Sequence, residues 1–252
     1  RWDGVIPSHF PGGQREKRAF RGRGCFKGPF PGMFYVSRGE VAGPWRALSP
    51  LDEGGCPMKL ALIGCGGMGA LHAAMAKAAG FEVVVCADAV EQAARDLAAR
   101  HGARWSTNPE SAARDVDADV VAIATPTPTH LPLIRAAAEA GKHIFCEKPF
   151  CRTVRECREA IRVAKKHRVK LFVGHVVRYF QEFEAMRHKI REGRIGNVGW
   201  VKLTRGGIMP GGPGSWFRDY AQSGGVTLDC MIHDLDWLRY VFGEPERVYA
   251  QA

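Results

Sequence analysis

The sequence predicts an α/β fold built on a doubly wound parallel sheet, and two observations predict it. From residue 59 onward, short strands that are apolar throughout alternate with helices of 3.6-residue period. The first strand-to-helix turn carries Gly64-Cys65-Gly66-Gly67-Met68-Gly69, a G-x-G-x-x-G turn in the context that motif requires. Strands buried on both faces need helices above and below them, and right-handed crossovers then wind the sheet doubly.

The elements follow in order. KLALIG (59–64) reads as a strand and MGALHAAMAKAAG (68–80) as an Ala-rich helix stopped by Gly80. EVVVCAD (82–88) is a strand, and EQAARDLAARHG (91–102) a helix stopped by Gly102. ADVVAIATP (118–126) is a strand, HLPLIRAAAEAG (130–141) a helix and KHIFCEKP (142–149) a strand. Residues 152–167 form a basic amphipathic helix and KLFVGH (170–175) another strand. Beyond it lie a helix near 181–192, a strand at 198–207, a Gly-rich loop through Trp216, a helix over 225–242 and the start of a further strand.

In the glycine turn, Gly64 permits the tight bend, Gly66 lets backbone approach a pyrophosphate, and Gly69 allows close helix–strand packing. Gly64, Gly66, Gly67, Met68 and Gly69 are therefore candidate dinucleotide-binding residues, with the helix N-terminus facing the phosphates. Asp88 ends the second strand, where a carboxylate can accept bonds from both adenosine ribose hydroxyls. A 2′-phosphate there would meet negative charge, and the following AVEQ offers no Arg to receive it, so NAD is favoured over NADP.

Composition narrows the classes. The chain has 252 residues, 46% of them hydrophobic, enough for a sizeable core. No run approaches the ~18 apolar residues of a membrane span, and residues 1–20 lack the apolar segment of a secretory signal. Eight cysteines, none in a CxxC pair and most inside apolar runs (Cys65, Cys86, Cys146, Cys230), read as buried reduced thiols of a cytoplasmic protein rather than a disulfide framework or a metal site. The net charge is +10, of which residues 1–57 carry +4 from nine Lys/Arg against five Asp/Glu. Much of the rest lies in 152–170, a solvated helix face, and no helix-turn-helix, zinc-finger or RNP-like sequence supports nucleic-acid binding. Residues 1–57, rich in Gly, Pro and Arg, hold no sustained apolar period and read as a disordered leader or upstream read-through, with translation starting at Met58.

Three further stretches, ATPTPTHLPL, AGKHIFCEKPF and GGVTLDCMIHDLDWL, stand in this order behind the glycine turn. Together they resemble the Gfo/Idh/MocA family, named for glucose–fructose oxidoreductase and inositol dehydrogenase, over residues 58–252. The resemblance implies a Rossmann domain (58–178) and a partial substrate and oligomerisation domain (179–252), the start of an α/β unit with an open, mainly antiparallel sheet. That sheet needs several more strands, so the chain reads as truncated at its C-terminal end. The implied reaction moves hydride between nicotinamide and a secondary alcohol of a sugar, cyclitol or related polyol. The implied protein is a homo-oligomer when full length, with a small-molecule substrate and neither nucleic acid nor membrane as partner. A non-catalytic dinucleotide-binding regulator and an NAD-dependent glycosidase of the same family are the alternatives.

Hydride removal from an alcohol needs a base for the hydroxyl proton, a donor to steady the oxygen and exclusion of water. Lys148 sits where the carboxyl end of a parallel strand meets ligand, and the resemblance makes it the donor to the reacting oxygen. Glu147 is expected to pair with Lys148 or touch the cofactor, and the Lys148–Pro149 bond is a candidate cis peptide. Asp229 and His233, four apart in the expected helix, share a face that Asp236 and Tyr240 extend, opposite an apolar face of Leu228, Met231, Ile232, Leu235, Leu238 and Phe242. Periodicity alone makes this a solvated polar stripe. The resemblance makes His233 the proton acceptor, with a pKa near neutrality, and Asp229 the group that orients it or the substrate. Thr125, Pro126 and His130 are expected along the nicotinamide side, and His175, Arg178, Trp216 and Arg218 within reach of substrate.

Overall fold

The computed structural model describes residues 56–205 and 215–251. Residues 1–55 and 206–214 lie outside it, so the expectations for the leader and the Gly-rich loop fall largely outside the described residues. The strands are β1 (Lys59–Ile63), β2 (Glu82–Ala87), β3 (Arg104–Ser106), β4 (Val120–Ile123), β5 (His143–Cys146) and β6 (Leu171–Val173). They form one parallel sheet in the order β3-β2-β1-β4-β5-β6, so the winding reverses between β1 and β4. Such a switch point opens a crevice at the carboxyl ends of the two strands.

Residues alternate between the two faces of each strand, and helices bury both. Leu60 and Leu62 of β1 and Val120 and Ala122 of β4 pack against α1 (Gly67–Ala78) and α2 (Glu91–His101) through Ala73, Ala76, Ala94 and Leu97. Ala61, Ile63, Val121 and Ile123 face α3 (Pro109–Ala113), α4 (His130–Glu139) and α5 (Val154–Lys166). Small alanines at the contacts let helices lie close on the sheet. Thr153 caps α5 by accepting from the Glu156 amide, while the Glu156 carboxylate accepts from the Thr153 amide.

The sequence reading omitted β3 and α3. The strand is three residues at the sheet edge, too short for a period, and its Trp105 lies under the Arg95 guanidinium at 4.2 Å. The helix is one short turn, begun by Pro109 and capped by the Asn108 side chain, which accepts from Ser111.

After β6 the chain forms α6 (Gln181–Arg191), the short turns α7 (Tyr220–Ser223) and α8 (Gly225–Asp229), and α9 (Ile232–Phe242). Here three expectations need correction. No strand forms over 198–205 or near the end of the described chain, because no neighbouring strand there supplies a ladder. The expected 225–242 helix is broken at Cys230–Met231, between α8 and α9. The apolar face is inverted in part: Met231, Leu235 and Phe242 are 40–44% exposed, whereas Asp234, Asp236 and Trp237 are buried. Each of those two aspartates faces an arginine, and a paired carboxylate tolerates burial that a lone one does not. Trp237 is the apolar anchor, edge-on to Phe183 of α6 at 5.4 Å.

The turn after β1 shows how little room the glycines have. Gly64 takes φ +96°, and a Cβ there would lie 2.6 Å from the Ala124 backbone at the end of β4. A Cβ on Gly69 would lie 1.8 Å from the Gly64 carbonyl oxygen, whereas one on Gly67 would meet nothing within 4 Å. Gly69→Ala is therefore expected to cost about 3 kcal/mol or prevent folding, and Gly67→Ala to leave the urea midpoint unchanged. Equal midpoints for the two variants would contradict this packing.

Candidate active site

The carboxyl ends of β1, β4 and β5 supply the first half of the site. α1 begins at Gly67 with Gly66 as its N-cap and no side chain capping it. Its first amides are thus free of side-chain acceptors, and Gly66 and Gly67 border open space. That is a fit for a pyrophosphate, which those amides and the helix dipole would hold. Asp88, just past β2, accepts from the Cys65 amide at 2.7 Å with one oxygen and from the Val90 amide at 2.8 Å with the other. The carboxylate therefore braces the glycine turn and retains lone pairs for further donors.

Past β4, the Thr129 hydroxyl donates to the Pro126 carbonyl at 2.8 Å and lies 2.7 Å from the Thr125 hydroxyl, which sets the Thr125-Pro126 corner beside Gly64. His130 departs from expectation. It is 1% exposed, with Nδ1 3.1 Å from the Phe150 carbonyl and Nε2 2.8 Å from that of Thr125. Burial pulls its pKa down, against the two carbonyls that favour the protonated ring. It is a strut between two loops with no face left for a cofactor.

β5 ends in the sequence Glu147-Lys148-Pro149, with a cis Lys148–Pro149 bond. Glu147 is 6% exposed, which corrects the expectation of a cofactor contact. One of its oxygens lies 2.6 Å from His72 Nε2 and the other accepts from the Lys148 amide at 2.9 Å. Burial alone would raise the Glu147 pKa, but the His72 bond and charge and the Lys148 amide and ammonium outweigh it and hold the carboxyl below its ordinary range. Lys148 points the other way. Its Nζ donates to the Asp229 carbonyl at 2.8 Å and lies 3.4 Å from the Asp229 carboxylate, with 20% of its side chain exposed.

α8, α9 and the segment after β6 supply the second half. His233, in the first turn of α9, has its pKa lowered to about 4 by burial first, then by the Lys148 and Arg205 charges. The expectation of a value near neutrality is thereby corrected: the ring is neutral throughout the physiological range, and its buried Nδ1 has no hydrogen-bond partner among the described residues. His175, also lowered by burial, lies 3.7 Å from Asp236 and likewise has an unpartnered buried Nδ1. Arg178 is taken up by Asp236 in a two-pronged pair at 2.7 and 2.5 Å and lies over the Tyr240 ring, which removes it from free substrate binding. Trp216 stacks on Phe217, and among the described residues no hydrogen bond or ion pair ties Trp216 or Arg218 to Lys148.

The structure therefore brings Lys148, Asp229, His233 and His175 into one electrostatic group at the end of β5, and keeps the glycine turn and Asp88 as a separate cradle. Sequence reasoning missed His72, Arg205 and Asp234. The signal for His72 was its place three residues after Gly69, on the same helix face; Arg205 and Asp234 pair across 29 positions through two bonds of 2.6 and 2.7 Å. Among the described residues no group of three or more His, Cys, Asp or Glu is placed to hold a metal ion, and no helix is long and apolar enough to cross a membrane.

The comparisons bear on the family and the fold. The model of an oxidoreductase family with an NAD-binding Rossmann fold matches residues 58–175, and the GFO/IDH/MocA C-terminal domain matches residues 183–252. The inositol 2-dehydrogenase of Rhizobium meliloti is 39% identical over 199 residues, 77% of this chain and 58% of the relative. The myo-inositol 2-dehydrogenase of Thermotoga maritima is 32% identical over 77% of this chain and 58% of its own length. Among solved structures, a putative myo-inositol dehydrogenase of Sinorhizobium meliloti aligns with a TM-score of 0.62 at 36% identity, covering 75% of this chain and 56% of that one. Levoglucosan dehydrogenase, solved with NADH and levoglucosan, aligns with a TM-score of 0.62 at 31% identity over 74% of this chain and 54% of its own. The chain thus spans a little over half the length of these relatives.

The depressed histidine carries a stability consequence. Between pH 6.5 and about 4 the unfolded chain binds a proton at His233 that the folded chain refuses. Stability is therefore lost as pH falls through that window, by about 2 kcal/mol from His233 once partial exposure is allowed for. His233→Asn is expected to lessen the fall of the urea midpoint between pH 6.5 and 4, with His130 and His175 carrying part of the remainder; an unchanged slope would contradict the burial described.

Proposed function

The chain belongs to the GFO/IDH/MocA oxidoreductase family, and we propose that it is an NAD-dependent dehydrogenase of a cyclitol, sugar or related polyol. The observation that carries the reading is the pairing of Lys148 Nζ with Asp229 at the carboxyl end of β5, beside a neutral His233. The names of the relatives support a cyclitol or sugar substrate.

NAD, when bound, supplies the hydride acceptor. The α1 amides from Gly67 to Gly69 would hold its phosphates, and Asp88 would accept from its ribose while its charge would repel a 2′-phosphate, favouring NAD over NADP. Lys148 donates to the substrate hydroxyl oxygen and steadies the charge that develops there as the C–O bond becomes C=O. His233 accepts the hydroxyl proton through its neutral imidazole. Asp229 orients Lys148, and His175 stands beside Asp236 at the edge of the same group. The low His233 pKa keeps the base unprotonated at neutral pH at some cost in basicity, which the Lys148 charge offsets by acidifying the alcohol.

A panel of cyclitols and sugars offered with NAD and NADP tests it. Net NADH formation on at least one polyol is expected, and Lys148→Met should reduce kcat about 1000-fold with NAD affinity kept within a few-fold. Glycoside cleavage without net NADH, or full activity in Lys148→Met, would overturn the reading.

A further inference from the structure

We propose that His72 is a positioning residue that holds Lys148 in place through Glu147 and ties the catalytic loop to the dinucleotide helix. The proposal rests on the role of Lys148 given above. His72 lies in α1, one helical turn beyond Gly69, and is 3% exposed. Its Nε2 stands 2.6 Å from Glu147 Oε1, and Glu147 Oε2 accepts the Lys148 amide at 2.9 Å. A carboxylate can only accept, so His72 Nε2 is the donor in this bond. One carboxylate thus connects α1, whose N-terminus fits the pyrophosphate, to the peptide that carries Lys148.

The pair has no freedom to turn away. The Phe145 ring stands edge-on to His72 at 4.8 Å. On the other side Gly174 closes the space, since a Cβ there would lie 3.3 Å from Glu147 Oε1 and 3.2 Å from the Phe145 ring. A carboxylate this deep stays charged only while its donors remain. Glu147 does not face solvent, so its two bonds act inward on α1 and on the Lys148 backbone. The Lys148 side chain is left to reach Asp229. Loss of His72 therefore leaves Glu147 Oε1 without this donor and loosens the Lys148 amide held by the same carboxylate.

Hydrogen exchange and steady-state kinetics on the 252-residue chain, with NAD and myo-inositol as probes, test the proposal through His72→Leu, His72→Gln and Glu147→Gln. In His72→Leu the amides of 147–151 are expected to exchange about tenfold faster, while those of α1 and β1 exchange as in the wild type. kcat should fall about 10- to 100-fold at an unchanged KM for NAD, and His72→Gln, which keeps a donor at the same reach, should recover most of it. If His72→Leu fails to fold, Glu147→Gln carries the same readouts. Unchanged exchange at 147–151, unchanged kcat, or a rise spread equally over α1 and β1 would overturn the proposal. A wild-type chain that forms no NADH, yet shows the localised exchange change, would sink the dehydrogenase reading and leave the positioning of Lys148 supported.

Discussion

The contact between Lys148 Nζ and Asp229 is the interaction on which the rest depends. The parallel sheet brings an ammonium to the carboxyl end of β5 and leaves it one-fifth exposed, too dry to stand alone. Its partner lies 81 residues away in α8. The chain after β6 must therefore fold back over the sheet edge, and in doing so it sets His233 within the field of the same ammonium. A buried pair contributes little net stability, because desolvation nearly cancels attraction. What it supplies is a defined relation between two segments that have no sheet in common.

Two further pairs repeat the arrangement. Asp234 meets Arg205 and Asp236 meets Arg178, so carboxylates of α8 and α9 reach cations on elements that precede them. The helix is seated by charge on either side of one apolar anchor, Trp237. Such seating is directional: a slipped helix would leave buried carboxylates unpaired, at several kcal/mol each. This suits a segment that must present Asp229 and His233 at set positions, and it explains why Leu235 and Phe242 remain outside.

Much of this was legible in the sequence, for reasons tied to particular residues. β1, β2, β4 and β5 are apolar runs bounded by glycine or charge, and Gly64 and Gly69 have a steric need that no other residue meets, so the sheet and its first turn could be read directly. β3 could not, because three residues at an edge carry no period. The inverted face of α9 could not either, because whether Asp234 and Asp236 are solvated or buried depends on Arg205 and Arg178, 29 and 58 residues away. Lys148 was placed by its strand end, whereas Asp229 and His233 were reached only through a resemblance, since spacing alone described a solvated stripe. Glu147 was in view and His72 was not, because nothing local said that they face each other across 75 residues.

The grouping of Lys148 with Asp229 is tested most directly by a double-mutant cycle on kcat/KM for polyol oxidation, comparing Lys148→Met, Asp229→Ala and the two combined. Residues that act as a unit are non-additive. Asp229→Ala keeps the carbonyl that accepts from Nζ at 2.8 Å, so the cycle reads the carboxylate 3.4 Å away, with a coupling of about 1 kcal/mol expected. Effects that multiply, leaving no coupling, would mean that the two residues act independently, and the site assembled at the end of β5 would have to be abandoned.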